Sequence, residues 1–191
     1  NLVAKVNFSL KNLLNKETFF KILNFRKKLI KQKELKDILK KNKKIKILNI
    51  NHHLCHISSA YYCSNFDKAI AISIDGSGDF STLASYYINN GNFKLINKVN
   101  YPHSLGIFYQ AITQYLGFNN YGDEYKVMGL AGFGKPKFYN QIKKLIKYDN
   151  NKLKLDLNFF SHHNQPHHNN WKNDVPKFDK LYSVKMNELL H

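Results

Sequence analysis

Arginine is all but missing from this sequence: Arg26 is the single one, although Lys and Arg together number 30. Cysteine is nearly as scarce. Cys55 and Cys63 stand eight apart, which excludes a C-x-x-C redox or metal pair and leaves too few thiols for a disulfide framework. No run of 18 apolar residues occurs, so no membrane-spanning helix and no membrane partner are expected. The first residues lack the basic, apolar and small-residue succession of a secretory signal, and the cytoplasm is the expected compartment.

Acidic residues are few as well, 13 in all, and the formal charge is +17. Such an excess normally points to nucleic acid or an anionic surface. Here, however, residues 1–50 carry +12, residues 51–100 none, residues 101–150 +3 and residues 151–191 +2. Charge concentrated between Lys5 and Lys46, in a chain rich in Lys, Asn and Ile, reads as the drift of an AT-rich genome and as a solvated basic surface. Nucleic acid is therefore not the expected partner. The 191 residues, 43% hydrophobic, suffice for one domain or a large piece of a bigger one. The chain starts at Asn1 rather than Met, and Asn187–His191 reads like the middle of a helix, so a chain cut at both ends is expected. Oligomeric state is not legible.

Apolar residues Phe19, Phe20, Leu23, Leu29, Ile30, Ile38 and Leu39 recur at helical spacing and predict one or two basic amphipathic helices over 12–41, packed on a core. Ile45–Ile50 reads as a short buried strand. A helix follows, with Asn51 as N-cap. Ala69–Ile74 reads as a buried strand, and Thr82–Ile88 and Phe93–Tyr101 as a hairpin turning at Asn90-Gly91, where positive φ is needed. Ser104 caps a helix with the stripe Leu105, Phe108, Ile112, Tyr115 and Leu116, and Gly117 ends it. Another helix starts near Asp123, a break falls at Gly132–Pro136, and Tyr139–Tyr148 reads as a helix. Residues 161–170 read as a polar loop. No internal repeat is present, and the mixture predicts an α/β or α+β domain.

Five groupings can carry chemistry, and each has a plainer reading beside it. In His52-His53-Leu54-Cys55-His56, residues 52 and 56 lie about 40° apart on a helix, with Ser59 and Cys63 on the same stripe and Leu54, Ile57 and Tyr61 opposite. Two imidazoles one turn apart can reach one metal ion; the same residues also serve as polar or capping groups. Cys63 reads as a small buried residue rather than a ligand. Asp75-Gly76-Ser77-Gly78-Asp79 closes a strand with two glycines that free backbone N–H groups for a phosphate, and a carboxylate there can hold a metal. An ordinary hairpin turn uses the same residues, and no Gly-Lys-Ser/Thr follows to make a P-loop. His103, beside the Ser104 cap, can meet a phosphate at a helix N-terminus or simply be solvated. Asp123, Glu124 and Lys126 suit an ion-paired helix start. His162, His163, His167 and His168 can gather a metal adventitiously or merely belong to a loop.

In this order, H-H-L-C-H-I-S-S-A-Y-Y, I-D-G-S-G-D, P-H-S-L-G-I-F-Y-Q-A-I-T-Q-Y-L-G-F and D-E-Y-K-V-M-G-L-A-G-F-G closely resemble the NodU/CmcH-type carbamoyltransferase family. The likeness is dense from Asn51 to Lys137, faint before it and nearly absent after residue 140. It implies an actin-like ATPase (ribonuclease H-like) α/β domain, present in part. Residues 1–46 would form a basic helical segment, 47–148 the metal- and nucleotide-binding core, and 149–191 a truncated continuation. His52 and His56 would hold a divalent metal, Fe2+ by family habit. Asp75, Gly76, Ser77 and Gly78 would lie at the phosphates of ATP, and His103 and Lys126 near the reacting groups. The implied reaction passes a carbamoyl group from carbamoyl phosphate, through carbamoyl-adenylate, to a hydroxyl of a small-molecule or sugar acceptor. Two departures stand out: the family's Ala-Pro-Tyr-Gly is Ala131-Gly132-Phe133-Gly134, and its Gly-Glu-Tyr-Lys is Asp123-Glu124-Tyr125-Lys126. A first phosphate hairpin, a further metal-binding aspartate, a Gly-rich nucleotide loop and a second domain would lie outside these residues, so this chain alone is expected to be inactive. Two rivals stay open: a relative that places threonylcarbamoyl groups on tRNA, and an inactive remnant or binding protein.

Overall fold

A computed structural model describes residues 2–11, 30–39, 41, 45–149, 152–160, 162 and 163. In chain order the named elements are α1 (Leu2–Lys11), α2 (His52–Tyr62), β1 (Lys68–Gly78), β2 (Ser81–Asn89), β3 (Asn92–Asn100), α3 (Leu105–Tyr115), α4 (Glu124–Ala131), α5 (Tyr139–Lys143), β4 (Ile146–Asp149) and β5 (Lys152–Leu155). Residues 30–39 are also helical. Strands β1-β2-β3 form one antiparallel sheet in that order, and β4-β5 form a second. The architecture is thus mixed α/β. No described helix is long and apolar enough to cross a membrane.

Both turns of the larger sheet join strands through two residues at positive φ. Asn90 (φ 47°) and Gly91 (φ 74°) close the Asn89–Asn92 pair, as their residue types demand. Asp79 (φ 51°) and Phe80 (φ 67°) close the Gly78–Ser81 pair. A left-handed Phe is uncommon. This one is held by its ring, which packs edge-on against Phe8 of α1 and tilted against Tyr101, with centroids 5.8 Å away in both cases.

Along β1, Ile alternates with Ala or Ser, and the alternation sets the two faces. Ser73 is buried, whereas Ile70, Ile72 and Ile74 are exposed. The strand expected to be wholly buried is therefore an edge strand, since among the described residues it pairs with β2 alone. The small-residue face is the one that lets α2 approach: His53 of the helix meets Ser73 of the strand, Nδ1 to Oγ 2.8 Å, in a buried contact.

Helix α3 lies over the second core. Ala111 is buried with Leu145, Leu155 and Phe160, and Phe108, Ile112 and Tyr115 pack around them. Full burial of a side chain such as Leu145 is worth about 2 kcal/mol. Ser104 caps α3, its Oγ accepting the Ile107 N–H at 3.1 Å, and Gly117 follows the helix at φ 92°.

Several expectations need correction. Ile45–Ile50 is no strand; it runs without regular structure, with Ile45, Leu48 and Ile50 exposed, because among the described residues no strand pairs with it. The helix expected over Tyr139–Tyr148 stops at Lys143. Ile146–Asp149 instead pairs with Lys152–Leu155, whose Leu153 and Leu155 are buried, so cross-strand pairing overrides helical spacing. Cys63 is exposed rather than buried. Of the stretch 12–41, residues 12–29 and 40 lie outside the described residues. Its helical part shows Ile30, Leu35 and Ile38 to solvent instead of packing them on a core. Helix α1 was not foreseen.

Candidate metal centre

Three side chains converge where the N-terminus of α2 meets the end of β1. Nε2 of His52 and Nε2 of His56 face each other 3.0 Å apart. Oδ2 of Asp75 lies 2.5 Å from the first and 3.6 Å from the second. No other group of three or more His, Cys, Asp or Glu side chains among the described residues comes together in this way. The pairing of the histidines follows from helical phase. The arrival of Asp75 follows from strand phase, because residue 75 shares parity with Ala69, Ala71 and Ser73, the side of β1 turned to α2.

The approach is anchored from several directions. Asn51 Oδ1 caps α2 at the Leu54 N–H, 3.2 Å away. The His52 N–H donates to Asp79 Oδ2 at 2.9 Å. Asp75 Oδ1 accepts the Gly76 N–H at 2.6 Å, which leaves Oδ2 for the imidazoles. Behind the turn, the Ser104 hydroxyl reaches the carbonyls of Asp75 and Gly76 at 3.0 and 2.8 Å. Gly106 lets α3 come this close; a Cβ there would stand 2.6 Å from the Gly76 nitrogen.

The electrostatics favour an ionised carboxylate. Burial alone raises the Asp75 pKa, but the His52 hydrogen bond, the Gly76 N–H and the charges of His52 and His56 outweigh it, and the net position is below the ordinary carboxylate value. Two imidazole nitrogens and one carboxylate form a donor set suited to a divalent first-row metal, Fe2+ included. Ligands about 2.1 Å from a metal and at right angles to one another stand about 3 Å apart. The separations of 2.5, 3.0 and 3.6 Å bracket that value, so these residues fit such an ion with small side-chain adjustments.

The other residues singled out from sequence have different surroundings. Gly76 has open space where a Cβ would stand, and Ser77 is exposed. Gly78 is buried, and its missing Cβ is what makes room for the His52 ring. His103 turns away toward β5, its Nδ1 accepting the Leu155 N–H at 3.1 Å. Burial, reinforced by Lys154, lowers its pKa and keeps it neutral. Lys126 pairs with Asp123 at 2.7 Å and lies near the rings of Phe118 and Tyr125, so its contacts do not include the three converging side chains. The hydrogen bond from Lys126 holds Asp123 below its ordinary pKa, despite an opposing desolvation. His162, in the stretch expected to be a polar loop, is buried, with Nε2 2.8 Å from the Pro102 carbonyl. His167 and His168 lie outside the described residues.

Sequence reasoning set Asp75 beside a nucleotide and did not group it with the two histidines. Gly78 was expected at the nucleotide phosphates rather than beside the His52 ring, and no role was foreseen for His53 or Asp79. The Ala/Ile alternation leading into Asp75 carried the signal for its grouping with the histidines.

A family model described as carbamoyltransferase N-terminus matches residues 4–179. An uncharacterised protein of Methanocaldococcus jannaschii is 30% identical over 188 residues, covering 88% of this chain and 30% of that protein. Another from Synechocystis is 41% identical over 92 residues, 48% of this chain and 15% of its own length. Nodulation protein NolO of Bradyrhizobium diazoefficiens is 39% identical over 95 residues, 49% of this chain and 17% of its own. The chain thus spans less than a third of the length of each of these relatives.

Proposed function

This chain belongs to the carbamoyltransferase family, and from that premise we propose that it carries the metal-holding part of an O-carbamoyltransferase active site built on an actin-like ATPase fold. The observation that carries the reading is the convergence of His52, His56 and Asp75. In this reading the whole protein uses ATP to turn carbamoyl phosphate into carbamoyl-adenylate. It then hands the carbamoyl group to a hydroxyl of a small-molecule or sugar acceptor. The likeness to nodulation protein NolO supports O-carbamoylation.

His52 and His56 would present Nε2 lone pairs to the metal and Asp75 its Oδ2, while the Gly76 N–H, bonded to the other oxygen Oδ1, fixes the orientation of the carboxylate. When bound, the divalent metal supplies a Lewis acid that polarises the carbamoyl or phosphoryl oxygen. The open side of Gly76 and the exposed Ser77 give a phosphate access to the turn. Lys126, held by Asp123, is the cation this reading assigns to the neighbourhood of the reacting groups. His103, neutral and bonded to Leu155, holds the start of α3 and through Ser104 the Asp75 turn.

Metal binding by the purified chain tests this, wild type against the His52→Ala/His56→Ala double variant, with His162 left in place because it is buried. Stoichiometric Fe2+ or Co2+ in the wild type, lost in the variant, is the expected result. Binding that is absent, or equal in both, overturns the metal centre.

A further inference from the structure

We propose that Gly78 and Asp79, where the end of β1 enters its turn, are positioning residues for His52, so that the Asp75–Asp79 segment sets the geometry of the metal ligand as well as offering a surface to phosphate. The inference rests on the metal-centre reading above. Its grounds are three independent contacts made by this segment to one residue.

The first is steric. Ideal Cβ placement at Gly78 falls 1.9 Å from His52 Cδ2, 2.3 Å from Cγ and 2.5 Å from Nε2. The imidazole occupies the space that any other residue would fill. The Gly78 backbone does not require glycine, since the glycines at positive φ are Gly91, Gly117 and Gly122. Glycine is therefore needed here for room. Gly76, two residues earlier in β1, meets nothing within 4 Å, so the constraint is specific to the glycine beside the ligand.

The second contact fixes the backbone of the ligand. His52 is the first residue of α2, and its N–H is one of the donors a helix leaves without an internal partner. Asn51 satisfies Leu54, not His52. The carboxylate of Asp79 takes the His52 N–H at 2.9 Å, and a negative charge at that end of a helix is favoured. The third contact is Asp75 to Nε2 at 2.5 Å. Ring face, backbone and donor atom of His52 are thus each held by a different residue of one five-residue segment, the end of β1 and the first residue of its turn. His56, one helical turn on, has no such seat among the described residues and is the more exposed ligand at 56% against 39%.

Co2+ titrations of the full chain, read by affinity and by the ligand-field spectrum, test the assignment alongside imidazole NMR of the metal-free protein. Gly78→Ala and Asp79→Ala should weaken binding by about 10- to 100-fold, the usual effect of losing an outer-shell partner, and alter the spectrum. Asp79→Asn keeps an acceptor oxygen and should restore binding. Gly129→Ala, in an open stretch of α4, controls for a glycine replacement elsewhere. Without metal, Gly78→Ala should move the His52 ring resonances while leaving those of His103. Wild-type affinity, spectrum and His52 resonances in Gly78→Ala overturn the proposal. If wild type binds no metal yet the His52 resonances move, the metal centre falls and the seat for His52 stands.

Discussion

Asp75 Oδ2 and His52 Nε2 meet at 2.5 Å although 23 residues separate them in the chain. That contact ties the end of β1 to the start of α2, and it depends on charge. The folded state holds Asp75 below its ordinary pKa, so the contact stabilises the fold above the unfolded carboxylate range and is lost as pH falls through the folded value. Asp75→Asn should therefore melt below wild type at neutral pH, and the gap should narrow as pH falls below about 4. Thermal melts across pH 3–7 read this; a gap that persists unchanged into acid contradicts it. The same variant should bind metal far more weakly than wild type, because an anionic donor is gone.

His103 gives a second pH signature with the same sign. Its pKa is depressed by burial and by Lys154, so the neutral ring stabilises the fold above the unfolded value, about 6.5, and that contribution fades as pH drops below it. His103→Asn keeps an acceptor near the position of Nδ1 for the Leu155 N–H and removes the titration. Its stability should be flatter than wild type between pH 6.5 and 4.5, leaving the Asp75 step in place. Parallel wild-type and variant curves in that window would remove His103 from the account.

Gly106 lets helix α3 touch the Asp75 turn. A Cβ there would meet three backbone atoms, the Gly76 nitrogen at 2.6 Å and the carbonyl carbon and oxygen of Asp75 at 2.7 and 2.8 Å. Backbone cannot swing aside as a flexible side chain can. Gly106→Ala should cost about 1–3 kcal/mol in urea unfolding, despite the better helix propensity of alanine. A variant as stable as wild type would show that α3 is free to shift.

The face of β1 that bears Ile70, Ile72 and Ile74 is 54 to 69% exposed at those residues, and the strand carries no proline or charge from Ala69 to Ile74. Such an edge invites strand pairing. Ile72→Lys should reduce concentration-dependent self-association in sedimentation velocity while changing stability by less than about 0.5 kcal/mol. Equal sedimentation of both proteins at high concentration would refute this.

Where residue type alone governs geometry, the chain could be read directly. Asn90-Gly91 makes its turn because few other pairs accept two positive φ values. Asn51 and Ser104 cap their helices because their side-chain oxygens reach the third amide on. His52 and His56 share a face because helical phase allows nothing else. Ile45–Ile50 and Tyr139–Tyr148 misled because a short apolar run takes its structure from its neighbours. The first lacks a pairing strand among the described residues, and the second was claimed in part by Lys152–Leu155.

The sequence by itself determined the two-histidine pair, the Asn90-Gly91 turn, the caps and the family; the glycine turn expected over Asp75–Asp79 falls instead at Asp79-Phe80, with Asp75–Gly78 in β1. Only the tertiary structure decided that Asp75 joins the histidines, that His53 is spent on Ser73, that Gly78 exists to seat His52, and that His103 and Lys126 engage Leu155 and Asp123. The reason is one of range. Spacing along a helix or through a two-residue turn is local and follows from backbone geometry. The position of α2 over β1 depends on which side of the strand bears small residues and how closely the helix can therefore settle. That distance is set by the packing of segments remote in sequence, and no single motif contains it.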